Sequence, residues 1–199
     1  MALTIVTEPA LEPVSVAELN DFLRLTGTAG SSDTILTALT VAARRYCEGV
    51  QNHAYIDQVL LLTSDGFPGG SYIELPMGPI TSVASVVYYS TANSANTMTA
   101  ANYYVDTVSS PARLHLAYGE IWPSLTLRPA NAVEVQYTAG YGSAAASVPE
   151  EARHAIKLIV GHMYEHREGS DVKQMSPEWI KNSFVGVDSL LWLDRVVPI

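Results

Sequence analysis

The hydrophobic period of this chain switches twice along its length, and that constrains its fold more than any single motif. From about residue 14 to 52, apolar residues recur every third or fourth position, the pattern of helices with one buried face. From about 54 to 139 they come instead in short β-branched and aromatic runs separated by turns. From about 149 the helical spacing returns. A sheet encoded between helical segments predicts an α+β protein. N- and C-terminal helices form a helical bundle, and an antiparallel β-sandwich-like domain is inserted in it. The period changes set the expected boundaries: 1–53 and 141–170 for the bundle, 54–140 for the inserted domain, and 171–199 for a C-terminal segment.

Local signals sharpen each zone. Ser15 followed by Glu18 spells a capping box, and Val16, Leu19, Phe22 and Leu23 give a short apolar face behind it. After a loop over 27–32, Ser32 or Asp33 caps a second helix carrying Ile35, Leu36, Leu39, Ala42, Ala43, Tyr46 and Cys47. Strands are predicted at 59–63, 72–75, 83–89, 103–105, 113–116 and 133–138, with the polar stretch 90–101 as a long exposed hairpin loop. Pro149 reads as a first-turn proline, with Glu150 and Glu151 favourable to the helix dipole. Ala152, Ala155, Ile156, Ile159, Val160, Met163 and Tyr164 then form a strong apolar stripe. Gly169-Ser170 ends that helix, and Lys173 to Pro177 is a polar linker. The chain end, Ser189 to Ile199, is unusually apolar. Termini normally fray in water, so such a tail either folds back onto the core or docks against a partner.

Charge narrows the function. The 199 residues carry 11 basic and 20 acidic side chains, a net charge of −9. Gripping nucleic-acid phosphates takes clustered Lys and Arg, and the nearest thing here is the pair Arg44-Arg45. The same negative charge suits a surface that DNA slides past without sticking. Cys47, the single cysteine, allows no internal disulfide or thiolate metal cluster and reads as an inert buried thiol. The N-terminus lacks the basic and apolar regions of a signal peptide. No apolar run approaches the ~20 residues a membrane span needs. Synthesis in the cytoplasm as a soluble chain is the expectation.

Two motifs mimic enzymes. His162-Met163-Tyr164-Glu165-His166 fits the H-x-x-E-H pattern of inverted zinc peptidases, with two histidines on one helical face and Glu165 able to activate a metal-bound water. The pattern lacks a third ligand nearby, and His154 lies too far along the axis to share the ion. Gly140-Tyr141-Gly142-Ser143-Ala144-Ala145 mimics a dinucleotide fingerprint, but the helix that should open at once is delayed to about Pro149. The glycines then serve a tight turn. No G-x-S-x-G and no phosphate loop occurs, and His53 and His115 have no motif around them. The tyrosine pairs 88–89 and 103–104 lack the basic neighbours that base stacking on a single strand requires.

The order of features carries more than any one motif. Glu12-Pro13-Val14-Ser15-Val16-Ala17-Glu18-Leu19 opens a helix, and a second follows with Leu39-Thr40-Val41-Ala42-Ala43-Arg44-Arg45-Tyr46-Cys47-Glu48. Next come Leu75-Pro76-Met77-Gly78-Pro79-Ile80-Thr81-Ser82-Val83, Tyr137-Thr138-Ala139-Gly140-Tyr141-Gly142, Val148-Pro149-Glu150, and His162 to Glu168. This succession resembles the head–tail connector (adaptor) proteins of tailed bacteriophages and related gene transfer particles, over nearly the whole chain. In that family the helix around His162 is structural, and the position of His166 is typically Asn. The resemblance implies a non-enzymatic virion protein of the neck, without cofactor or metal. It implies a homo-oligomer, a dodecameric ring beneath the portal protein, that prolongs the DNA channel and offers a platform to a stopper or tail protein. DNA passes through without sequence-specific binding. The family's C-terminal segment engages the portal, which maps here to about 183–199. Apolarity within it selects Leu190, Leu191, Trp192, Leu193, Val196, Val197, Pro198 and Ile199 as docking residues. Two other readings stay open: a zinc-dependent hydrolase using His162, Glu165 and His166, and a β-sandwich binding module accessory to a tail.

Overall fold

Burial of alternate residues in the strands and of one stripe on each helix gives the chain two adjoining apolar cores. The computed structural model describes residues 1–25, 33–165, 185–192 and 195–196. In chain order the elements are β1 (Ala2–Thr7), α1 (Val16–Phe22), α2 (Asp33–Gln51), β2 (Gln58–Ser64), β3 (Tyr72–Leu75) and β4 (Ile80–Tyr89). They continue as β5 (Ala95–Thr97), β6 (Tyr103–Asp106), β7 (Ala112–Leu116), β8 (Val133–Ala139), α3 (Glu150–Glu165) and α4 (Val185–Leu191). The protein is therefore mixed helix and sheet, as its changes of period require.

All strand pairs are antiparallel, in a five-stranded sheet ordered β1-β2-β8-β4-β5 and a three-stranded sheet ordered β3-β7-β6. Strand β8 shows why: Val133, Val135, Tyr137 and Ala139 point one way and are buried, while the residues between them stay half-exposed. That buried row, with Leu60, Leu62 and Val86, shares one apolar cluster with Ile73, Leu75, Ala112 and Leu114 of the smaller sheet. All six predicted strands occur, with ends shifted by up to three residues.

Two strands depart from expectation. Residues 2–7 were outside every predicted element, yet pair with β2 as an edge strand, Leu3 opposite Leu62 and Ile5 opposite Leu60. Their side chains are all exposed, so they carry no burial pattern that sequence periodicity could detect. The stretch 90–101 is not a free loop throughout. Ala95–Thr97 pairs with β4, Met98 is buried, and its amide donates to Val86 O.

The helical core gathers Leu19 of α1, Leu36, Ala43 and Cys47 of α2, Ala155, Ile156, Ile159 and Val160 of α3, and Val187 and Leu191 of α4. Helix α2 packs on α3, and α4 lies against both. The Ser15–Glu18 capping box forms as read, with Ser15 Oγ accepting from the Glu18 amide and Glu18 accepting from the Ser15 amide. Arg153 of α3 donates to Glu18 at 2.5 Å and to Pro13 O at 3.0 Å, fixing the start of α1 on α3. Helix α3 opens at Glu150, one residue later than a first-turn Pro149 would give.

The two cores are stitched through the segments 54–57 and 140–142. Ala54 N donates to Gly78 O, Gly140 N to Pro79 O, Tyr141 N to Tyr55 O, and Asp57 N to Gly142 O. Gly140 has φ +150°, and a Cβ on it would lie 2.5 Å from Asp57 N. Only glycine allows the chain to leave the sheet so close to its neighbour. No helix among the described residues is long and apolar enough to cross a membrane.

Candidate functional site at the C-terminal segment

The apolar chain end meets the body of the protein at the last turn of α2, and that turn is prepared by a polar stripe. Thr40, Arg44, Glu48 and Gln51 fall at helical spacing on one face of α2, and all four are buried. Arg44, 1% exposed, donates to Glu12 at 2.8 Å, to Glu48 at 2.8 Å and to Glu8 at 3.5 Å. Glu48 also accepts from the Tyr55 amide at 3.0 Å and from Gln58 Nε2 at 3.5 Å. Burial pushes the Glu48 carboxyl above its ordinary range, with Arg44 and the Tyr55 amide opposing. Burial also works against the charge on Arg44, but Glu48 and Glu12 outweigh it and raise its pKa. A buried charge survives only when paired this fully, so the cluster fixes segment 8–12 and residue 55 to α2.

Gln51 ends the stripe and holds the tail. Its Nε2 donates to Leu191 O at 3.1 Å, its Oε1 accepts from Tyr55 Oη at 2.5 Å, and its main-chain carbonyl accepts from Val196 N at 3.0 Å. Leu191 is fully buried in the helical core, Leu190 is half-buried against it, and Val196 is half-buried. Trp192 is 68% exposed, with the Arg195 guanidinium 5.6 Å from its ring centre. Val196 also lines a largely apolar cleft of about 230 Å³ with Met1, Leu3, Leu62, Pro76 and Pro111. Of the predicted docking residues, Leu190, Leu191, Trp192 and Val196 are thus described, and they split in role. Leu191 anchors the segment, and Trp192 presents the exposed surface. Leu193, Val197, Pro198 and Ile199 lie outside the described residues.

The described residues of the enzyme-like patterns lie elsewhere in the fold. His162 is half-buried on α3, Glu165 is exposed at its end, and His166 lies outside the described residues. His154 packs edge-on against Phe22, with ring centres 6.3 Å apart. Among the described residues no group of three or more His, Cys, Asp or Glu is placed to hold a metal ion. Gly140 and Gly142 make the turn described above, and a single 3-10 turn at Ala145–Ser147 intervenes before α3 begins at Glu150. Cys47 is buried, which pushes its thiol up to about 12 and leaves no thiolate at neutral pH. His53 instead bonds Tyr141 Oη at 3.1 Å across the junction of the two cores.

Sequence reasoning missed the buried pair Arg44 and Glu48, and it missed Gln51 as the seat of the tail. The signal existed, since polar residues at i, i+4 and i+7 on the core-facing side of an amphipathic helix need buried partners. Their partners Glu8, Glu12, Leu191 and Val196 are distant in sequence, and only the tertiary structure names them.

No family model matches the chain, and no curated protein matches it. Solved structures do. A chain from the neck of an empty GTA particle computed with C6 symmetry matches with a TM-score of 0.80 and 28% identity, over 100% of this chain and 97% of that one. A chain from the virion of a native gene transfer agent (GTA) particle matches at 0.79 and 26%, with the same coverage. A chain from the neck of a native GTA particle computed with C12 symmetry matches at 0.78 and 24%, again with that coverage, and shares the fold. The resemblance to head–tail connector proteins that the motifs carry therefore extends to the fold of the full chain. The matches support the virion neck as its location.

Proposed function

We propose that this structural neck protein is a head–tail connector (adaptor), a ring-forming subunit beneath the portal that prolongs the DNA channel and carries a stopper or tail protein. The observation that carries the reading is the end-to-end match to a chain of a particle neck at a TM-score of 0.80. The C6 symmetry of that neck and the C12 symmetry of the third match are both compatible with a ring of twelve. In this reading the helical core is the bundle, expected over 1–53 and 141–170; it gathers α1, α2, α3 and α4, while residues 2–7 of the first segment join the sheet. The two sheets are an inserted sandwich-like domain over 54–140, to which β1 from the N-terminal segment adds an edge strand. The role is structural and not catalytic, and no cofactor takes part.

Portal docking is assigned to the tail. Leu191 and Gln51 hold it on the body, and Trp192, Leu190 and Val196 lead toward the apolar residues Leu193, Val197, Pro198 and Ile199 that complete the contact. Interfaces concentrate their energy in such exposed aromatic anchors. Deleting 183–199 would also remove Val187 and Leu191 from the core, so a point substitution is the cleaner probe. Trp192→Ala is expected to leave the melting temperature unchanged and to abolish joining of heads to tails. Normal joining by that variant sinks the docking role. Electron microscopy of the protein with its portal should show a closed ring coaxial with it, and density on the tail shaft instead favours the tail-accessory module. Stoichiometric zinc in the purified protein, lost in His162→Ala, would overturn the structural reading in favour of the hydrolase.

A further inference from the structure

We propose that the two edges of the five-stranded sheet form the lateral contact between neighbouring copies, β1 of one copy lying against the β4–β5 hairpin of the next. The inference rests on the connector reading and assigns surfaces to its ring.

A sheet edge exposes unpaired amides and carbonyls, and proteins usually guard such edges with charge, proline or a cover. Neither edge strand carries a charged side chain, the amino group of Met1 being the one charge that adjoins β1 among the residues before Glu8. Strand β1 is Ala-Leu-Thr-Ile-Val-Thr, and no charged side chain precedes Glu8. No charged residue occurs between Glu74 and Asp106, a stretch that contains all of β4, β5 and their turn. The charges that reach the hairpin come from other segments: Arg128 bonds Asn93 at its tip, and Glu134 of β8 accepts from Tyr89 Oη. Among the described residues no backbone group outside β2 pairs with β1, and none outside β4 pairs with Ala95–Thr97.

Electrostatics selects a second copy as the occupant. Identical chains of net charge −9 repel one another, and they approach at least cost through surfaces that carry no charge. The two uncharged edges sit at opposite ends of one sheet, so the molecule has two lateral faces that match in charge. Strand β1 adds apolar surface, with Leu3 36%, Ile5 42% and Val6 53% exposed, while the hairpin offers the exposed small residues Ala95 and Thr97. Because the two edges differ, their contact is heterologous, the kind that repeats by rotation and closes a ring. The ladder is short, since β5 offers three residues, and the exposed apolar side chains of β1 supply the rest of the contact.

Disulfide trapping in assembled particles tests this. Native Cys47 is buried, so Val6→Cys combined with Thr97→Cys adds the reactive thiols. Oxidised necks of the double variant should give a ladder of linked copies on a denaturing gel, and each single variant should give monomers. Dimers from Val6→Cys alone, meaning β1 against β1, overturn the proposal, as does a monomeric double variant that is present in necks. Should the double variant fail to fold, Val6→Lys is the second probe. It should keep the wild-type melting temperature while neck incorporation falls about tenfold or more, the effect of burying one unpaired charge at an interface. Undiminished incorporation overturns the contact. Absence of the wild-type protein from necks overturns the connector reading, and this contact with it.

Discussion

Single residues divide here into those whose chemistry is local and those whose meaning depends on a distant partner. Glu18 is local. The Ser15 amide, bonded to its carboxylate, lowers its pKa; burial opposes, and Ser15 Oγ, Arg153 and Lys157 add to the lowering. A carboxyl depressed in the folded state stabilises above its unfolded pKa and loses that contribution as pH falls through the folded value. Glu18→Gln is therefore expected to cost about 1 kcal/mol at pH 7, as lost caps do. In urea titrations its deficit against wild type should shrink as pH drops below the ordinary value of 4.5. Gly140 depends on a distant partner. Gly140→Ala forces a Cβ onto the backbone of Asp57 at a φ that side chains avoid, so a loss of about 3 kcal/mol or more is expected in thermal unfolding. The glycine itself is plain in the sequence, but the strand exit that demands it is not.

At the scale of elements, amphipathic patterning located what is buried on one side and missed what is exposed throughout. Helices α2 and α3 and strands β2, β3, β7 and β8 bury residues at their period, the capping box marked α1, and runs of β-branched and aromatic residues marked β4 and β6. Strand β1 buries nothing, and β5 is three residues long, so neither leaves a periodic trace. Helix α4 illustrates the same division within the tail. Its apolarity marked a docking element, but apolarity alone cannot separate an anchor from a contact surface. Leu191→Ala should cost about 2–5 kcal/mol by opening a core cavity, whereas Trp192→Ala should stay within about 0.5 kcal/mol. Chemical unfolding of the two variants checks the contrast, and equal losses would mean that Trp192 is also part of the core.

For the whole molecule, charge and shape say different things. An excess of 20 acidic over 11 basic residues disfavours phosphate binding. The purified protein is expected not to retard duplex DNA on gels even at about 50 mM salt, where counterion release favours binding most. A retarded band would show a basic surface hidden by the net count. Shape carries the relationship, since 28% identity leaves few motifs while the backbone superposes over the full length. The uncharged sheet edges join the two arguments, because composition supplies their neutrality and the fold puts them at opposite ends of one sheet.

The sequence by itself determined the α+β class, most elements, the excess of acidic over basic residues and, through the order of weak motifs, the resemblance to connector proteins. These depend on local patterning or on total charge, both of which are properties of the chain alone. Only the tertiary structure decided that Arg44 gathers Glu8, Glu12 and Glu48, that Gln51 holds the tail, that Leu191 anchors while Trp192 presents, and that residues 2–7 form an edge strand. Each of these is a contact between residues far apart in the chain. Such contacts form because the joint burial of two surfaces favours them, and neither surface alone encodes its partner.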